Sequence, residues 1–321
     1  MNPVSRNRFF KIGCGILVFT GITAALFVAS YSSRMTKLVH TIDPTFRRID
    51  RTPVEALGPG ARTVSFPNEE GAYVPGWYRE GDNNAAIIFL HGLGGTRMQL
   101  VNIAGRFIDE GYTVLLIDQR GHGEHPGRVT TFGRAESIDA LAAVDWLNGQ
   151  PGVDRDKIGL YGASMGATTC IHAAAHDAES GENKIACAVA DSSYADLEAQ
   201  AFYDLGREES PIELPPAFRV IAVRLFIITS KFIIGKWADY PDPVDVVGEI
   251  RCPLFLIHGD CDTRINPDSL DRLTEAARAS DVDLESWRVT DEGHCSYHDS
   301  DEFIQRLSRF FAEHLLNRHM L

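Results

Sequence analysis

The chain has 321 residues, 44% apolar and 23% charged, the composition of an ordinary globular protein with room for one large domain or two small ones. A net charge of -13 with scattered lysines and arginines excludes nucleic acid as an expected partner, because phosphate binding needs a basic stripe. Six cysteines without a C-x-x-C pair exclude a disulfide-dense scaffold and the common zinc spacings, so no metal is expected.

From the N-terminus, Ile12 to Tyr31 forms a run of twenty residues without a charge, flanked by Arg6, Arg8 and Lys11 and by Arg34 and Lys37. At about 1.5 Å per residue the run reaches about 30 Å, the thickness of a bilayer's hydrocarbon core. Residues 1–31 are therefore expected to form an N-terminal anchor with a transmembrane helix at about 12–31. The rival reading is a signal peptide cleaved near Val28-Ala29-Ser30, but the run exceeds the about 7–15 apolar residues such peptides use. Arg47 and Arg48 nearly balance the charge flanks, and the expected placement of the domain is extracytoplasmic, with a secreted, cleaved form as the alternative. Residues 32–60, with Pro44, Pro53, Gly58, Pro59 and Gly60, read as a connector or peripheral strand region.

A regular pattern follows over residues 61–317. "RTVSF" and "AYVPGWYRE" predict two antiparallel strands at a sheet edge, and "AAIIFLHG" predicts a strand buried on both faces. "QLVNIAGRFIDEG" predicts a helix, "YTVLLIDQRG" a second buried strand, "RAESIDALAAVDWLNGQ" an amphipathic helix, "KIGLYGAS" a third strand and "MGATTCIHAAAHDA" another helix. "IACAVADSS", "PLFLIHGD" and "LESWRVTDEG" predict three more strands, with helices at about Pro267–Ala279 and Asp301–Leu316. Strands alternating with helices define an α/β fold with a mostly parallel central sheet and helices on both faces. An insertion at about 194–250 interrupts the alternation. Its segment "FRVIAVRLFIITSKFIIGKW" carries Arg219, Arg224, Lys231 and Lys236, which argues against a second membrane span and for a helical cap with an apolar underside.

Ser164 in "GASMG" has glycines two residues away on each side, between a predicted strand and a predicted helix. A nucleophile elbow needs that spacing, because the turn is too tight for side chains at those two places. Such a serine requires a base, and the base an orienting acid. "HGDCDTRINP" offers Asp260 and Asp262, and "DEGHCSYH" offers His294 and His298, each after a predicted strand. The order serine, acid, histidine is the one that successive strand ends impose in an α/β-hydrolase sheet. A dinucleotide loop is not supported, since the G-x-G-x-x-G spacing from Gly92 and Gly94 meets Arg97 at its last place, and no cofactor is expected.

With "HGLGGT", "DQRGHG", "GASMG", "HGDCDTRINP" and "EGH" over roughly residues 60–315, the chain resembles the α/β-hydrolase superfamily in its lysophospholipase and serine-aminopeptidase-like branch. The resemblance implies Ser164 as nucleophile, Asp262 as acid and His294 as base, with Asp191 an alternative acid position in some relatives. It also implies an oxyanion hole from the backbone N–H groups of Leu93 and Met165. Asp118 and Arg120 become structural, His122 is not expected to be a base, and Glu124 and His125 stand where the family often has a small residue. The activity implied is hydrolysis of lipophilic esters or thioesters such as lysophospholipids, acylglycerols or acyl-proteins. The alternatives are a serine-aminopeptidase-like peptidase and a non-catalytic, membrane-tethered binding module. The neighbours Cys261 and Cys295 are either two unrelated thiols or, in an oxidising compartment, a disulfide between the acid and base loops.

Overall fold

The computed structural model describes residues 47–206 and 215–316, together with residues 41 and 43. The apolar run Ile12–Tyr31 lies outside the described residues, and among those described no helix is long and apolar enough to cross a membrane. The connector is in part structured. Thr52 and Glu55 form a reciprocal capping box around Pro53 at N1, starting helix α1 (Pro53–Leu57), whose Leu57 is buried.

Eight strands form one sheet: β1 (Arg62–Pro67), β2 (Tyr73–Arg79), β3 (Ala86–Leu90), β4 (Thr113–Ile117), β5 (Ile158–Ala163), β6 (Cys187–Asp191), β7 (Leu254–Gly259) and β8 (Leu284–Val289). Their spatial order is β1-β2-β4-β3-β5-β6-β7-β8. Strand β2 is antiparallel to both of its neighbours, β1 and β4, and β4, β3, β5, β6, β7 and β8 run parallel to one another. Every residue of β3, β4, β5, β6 and β7 is buried, as apolar runs without alternation require.

Side chains on one face of the sheet, including Ile88, Leu115 and Leu160, pack under α3 (Glu136–Asn148), α4 (Met165–Ser180) and α8 (Asp268–Ala279). Those on the other, including Phe89, Leu116 and Val189, pack under α2 (Val101–Asp109) and α9 (Asp301–Phe311). Helix α9 is shorter than its sequence pattern predicts, because Ala312–Leu316 continue as a π-type turn. Helix α3 departs from the expected amphipathic form, since its first turn buries Glu136 and Asp139 beside Ile138 and Ala140. Those carboxylates have fixed partners. Glu136 accepts bonds from the Thr131 and Gly133 N–H groups and the hydroxyls of Thr130 and Thr131, and Asp139 accepts from Asn68 Nδ2 at 2.6 Å.

Between β6 and β7 the described residues form α5 (Leu197–Gly206), α6 (Pro216–Ile234) and the short α7 (Pro243–Val246). The turn from β5 into α4 is the tightest approach in the sheet. A Cβ on Gly166 would collide with the Leu90 carbonyl of β3, and one on Gly162 with the Gly166 carbonyl. We expect Gly166→Ala to lower unfolding free energy by about 2 kcal/mol in urea denaturation. Gly105→Ala in α2, where a Cβ meets nothing within 4 Å, should be neutral or stabilise by up to about 1 kcal/mol. Equal midpoints for the two variants would exclude the close approach.

Candidate active site

Ser164 is the hinge residue between β5 and α4, with φ 57° and ψ -117°, a backbone region that costs a residue with a Cβ about 1–3 kcal/mol. Its N–H donates to the Asp191 carbonyl at 2.7 Å, and its own carbonyl accepts from the Ala167 N–H at 2.9 Å. The strain therefore persists because both flanking elements hold it. Met165 is the first residue of α4, and an N–H in the first turn of a helix has no intrahelical acceptor.

The loop after β3 passes beside this turn, since a Cβ on Gly92 would lie 3.2 Å from Ser164 Cβ. Four side chains hold its backbone, one of them Gln119, whose Nε2 donates to the His91 carbonyl at 2.5 Å. The Gly92 N–H donates to Gln99 Oε1 at 2.8 Å, and the Gly94 N–H donates to His122 Nε2 at 3.0 Å. His91 Nε2 accepts from the Gln119 N–H at 3.1 Å, and its Nδ1 lies 2.8 Å from the Gly92 carbonyl. His122 Nδ1 lies 2.8 Å from the Arg120 carbonyl, so each imidazole accepts at Nε2 and donates at Nδ1, which fixes the tautomer of both. Burial lowers the pKa of His91 and of His122, keeping both neutral in that role. His122 is a brace for the glycine loop, in keeping with its sequence reading as something other than a base. Leu93 sits between the two anchored glycines, and neither its N–H nor that of Met165 has a protein acceptor among the described residues.

The loop after β7 carries Asp262, whose Oδ1 accepts from the N–H groups of Arg264 at 2.7 Å and Ile265 at 2.9 Å. Its Oδ2 lies 2.7 Å from His294 Nδ1 in the loop after β8, and 3.1 Å from Nε2 of buried His258. Burial alone would raise the carboxyl pKa, but the hydrogen bonds from His258 and His294 and the Ile265 N–H outweigh it. They hold Asp262 well below the usual carboxylate range. The charge lets Nδ1 of His294 keep its proton and leaves Nε2 as the basic nitrogen. His294, Ser164, Met165 and Leu93 line one cavity of about 350 Å³, closed on the cap side by Leu197, Ala222, Val223 and Phe226. The three residues expected to act together thus reach one place from the ends of β5, β7 and β8.

Asp191, the alternative acid position, does not meet His294. Its fully buried carboxylate accepts from the Tyr161 hydroxyl at 3.0 Å, from the Tyr297 hydroxyl, and from His298 Nε2 at 2.7 Å. Burial would raise its pKa, but His298 and the two phenols outweigh this and lower it, while the phenols themselves are pushed up and stay protonated. His298 is therefore the partner of a structural network under the elbow. Asp118 also has a structural place, paired with the buried Arg97 guanidinium at 2.9 Å and accepting from the Arg97 and Glu124 N–H groups. Glu124 pairs with the same Arg97, which turns its carboxylate from the cavity. Cys261 and Cys295 are free thiols in this structure. Sequence reasoning missed His258, His91, Gln99 and Gln119, although the two histidines stand in the "HG" pairs that end β3 and β7.

Residues 36–211 match the family model of X-Pro dipeptidyl-peptidase (S15 family). The chain belongs to that family. Within this S15 member the matched segment holds Ser164 and the glycine loop and ends before Asp262 and His294. An uncharacterized protein of Mycobacterium tuberculosis is 35% identical over 116 residues, covering 35% of this chain and 41% of the relative. The chain thus spans about two fifths of the length of that relative. The uncharacterized protein YqkD of Bacillus subtilis is 28% identical over 241 residues, 74% of this chain and 72% of the relative. Among solved structures, an esterase of Pyrococcus furiosus is similar with a TM-score of 0.67 and 26% identity, covering 86% of this chain and 98% of that one. The S15 member accordingly has the α/β-hydrolase fold.

A depressed carboxyl pKa stabilises the folded state fully above the unfolded value of about 4, and that contribution is lost as pH falls below it. Asp191→Asn should cost about 3 kcal/mol near pH 7, because it leaves His298 and two phenols without their charged acceptor. The gap to the parent chain should narrow below about pH 4 in urea titrations. A gap of the same size at about pH 3 would show that the fold does not lower the Asp191 pKa, and a wider one would show that the carboxyl is neutral in the fold.

Proposed function

We propose that the chain is a serine hydrolase that cleaves carboxylic esters or thioesters of lipophilic acyl groups through an acyl-enzyme. The observation that carries this reading is the Asp262–His294 pair, 2.7 Å between Oδ2 and Nδ1, whose His294 lines the same cavity as the strained Ser164. Ser164 Oγ attacks the acyl carbonyl while His294 Nε2 takes its proton and then delivers it to the leaving alcohol or thiol. Asp262 holds the Nδ1–H tautomer and stabilises the imidazolium. The Leu93 and Met165 N–H groups meet the negative charge that develops on the carbonyl oxygen. Water activated by His294 then releases the acyl group and restores Ser164.

The apolar roof from Leu197, Val223 and Phe226 favours a lipophilic acyl group, and about 350 Å³ holds a single chain rather than two. A lysophospholipid, a monoacylglycerol or an acylated protein meets that description. The esterase similarity supports ester chemistry. S15 membership supports a second reading as a peptidase, favoured by the Asp204 carboxylate on the cavity wall, which could receive a substrate ammonium. The apolar run Ile12–Tyr31 supports attachment to a membrane, with the hydrolase domain on the extracytoplasmic side.

Ser164→Ala should lower ester turnover on the order of 10³-fold or more and abolish labelling by a fluorophosphonate. Unchanged hydrolysis or labelling would overturn the nucleophile, and a parent chain that takes no label would leave a binding module. A series of p-nitrophenyl esters should show kcat/KM rising beyond acetyl. A flat or falling series together with cleavage of X-Pro dipeptide amides would select the peptidase reading.

A further inference from the structure

Helix α6 is apolar on two faces. The inward face, with Ala222, Val223 and Phe226, roofs the cavity. The outward face carries Phe218, Ile221, Leu225, Ile228 and Phe232, spaced by alternate threes and fours and so forming one stripe. Four of these are exposed, Phe232 at 87%, and with Val220 the helix supplies five of the eight large apolar side chains exposed among the described residues. Such concentration on one element marks an interaction surface.

The charges beside the stripe indicate the partner. Helix α6 holds Arg219, Arg224 and Lys231 and no acidic residue, in a chain of net charge -13. Arg224 and Lys231 are seven residues apart, about two turns, and therefore flank the stripe on the same side. Both are exposed and among the described residues pair with the solvent-accessible carboxylates of Glu198 and Asp239, in ion pairs of a kind that adds little to stability and is readily exchanged for phosphate. Three charges forbid α6 from spanning a bilayer but suit a helix lying in the plane of an anionic one. The direction of the chain agrees. The continuously described chain begins at Arg47, which bonds the Gly123 and His125 carbonyls in the loop after β4, at the carboxyl edge of the sheet that also bears the cap. Arg47, the residue that leads in sequence toward the apolar run Ile12–Tyr31, thus sits at the cap-bearing edge.

We propose that the outward face of α6 docks in the plane of a bilayer containing anionic lipid, which sets the cavity roof against the membrane. The proposal uses the membrane-attachment reading for its direction and is independent of the acyl chemistry. The test uses the full chain reconstituted with vesicles of phosphatidylcholine, with and without phosphatidylglycerol, brominated in the acyl chains. Phe232→Trp should add emission that is blue-shifted and quenched by the brominated lipid, more so with phosphatidylglycerol. Glu182→Trp, at the opposite edge of the sheet after α4, should add emission that is not quenched. Equal quenching at both positions, or none at Phe232→Trp, overturns the proposal. So does a blue shift at Phe232→Trp that rises with protein concentration without lipid, which assigns the face to a second copy of the chain. Ile228→Glu with Phe232→Glu should lower turnover of an acyl ester embedded in vesicles roughly tenfold and leave a soluble short ester unaffected, with equal loss on both substrates overturning it.

Discussion

The reversal of the backbone at Ser164 is the constraint on which the rest of the site depends. A strand that turns into a helix within one residue exposes that residue's side chain, but it forces β5, α4 and the end of β3 so close that positions 162 and 166 have no room for a Cβ. The conformation at Ser164 is costly by itself and survives only because neighbouring elements over-determine it. The Asp191 carbonyl holds its N–H, the first turn of α4 uses its carbonyl, and the pairing of β5 with β3 and β6 fixes the strand behind it. Sheet order then decides what can reach Ser164. With β6 and β7 on one side and β3 on the other, the loops that end those strands arrive at the same edge.

Those loops bring a dense set of buried charged and polar groups, and their organisation separates structural acids from the one that faces a base. Asp118, Asp139 and Asp191 are each enclosed by cations, amides or phenols that satisfy them within their own neighbourhood. Asp262 differs in having one oxygen fixed by two backbone N–H groups and the other directed to a histidine on the cavity wall. A buried carboxylate left unpaired would be several kcal/mol worse, at about 3–5 kcal/mol per broken pair. The same logic makes His91 and His122 poor bases. Their nitrogens are committed to the glycine loop, so their protonation would break the bonds that aim the Leu93 N–H.

Much of this was legible in the sequence, for reasons that differ by element. The five strands buried on both faces stand out as unbroken apolar runs, and the glycines around Ser164 carry a steric requirement visible in their spacing. The candidate acid and base could be named because "HGDCD" and "EGH" stand at the ends of predicted strands and resemble a known family's motifs. What the sequence hid are groups whose role comes from three-dimensional neighbours. Glu136 and Asp139 break the amphipathic pattern of α3 because a loop, distant in sequence for Asn68, folds over the helix start. His298 looked like a spare histidine, and only the pairing of β5 with β6 brings Tyr161 and Asp191 beneath it. The short α1 was readable after the fact, since Thr52, Pro53 and Glu55 form a helix-start signature that the prolines and glycines nearby obscured.

The cap shows the opposite case, in which a sequence pattern is ambiguous because two surfaces are superimposed. A helix with one apolar face has a strong periodicity, whereas α6 spreads apolar residues around its circumference and reads almost like a membrane span broken by charges. One set of these side chains closes the cavity over Ser164 and is buried by doing so. The other set gains nothing from folding, and leaving Phe218, Ile221, Ile228 and Phe232 in water has a solubility cost that the fold does not offset. A helix that both roofs the cavity and, as proposed, contacts a surface on its far side has to be apolar twice over. Its basic residues then occupy the narrow strips between the two faces, where Arg224 and Lys231 stand.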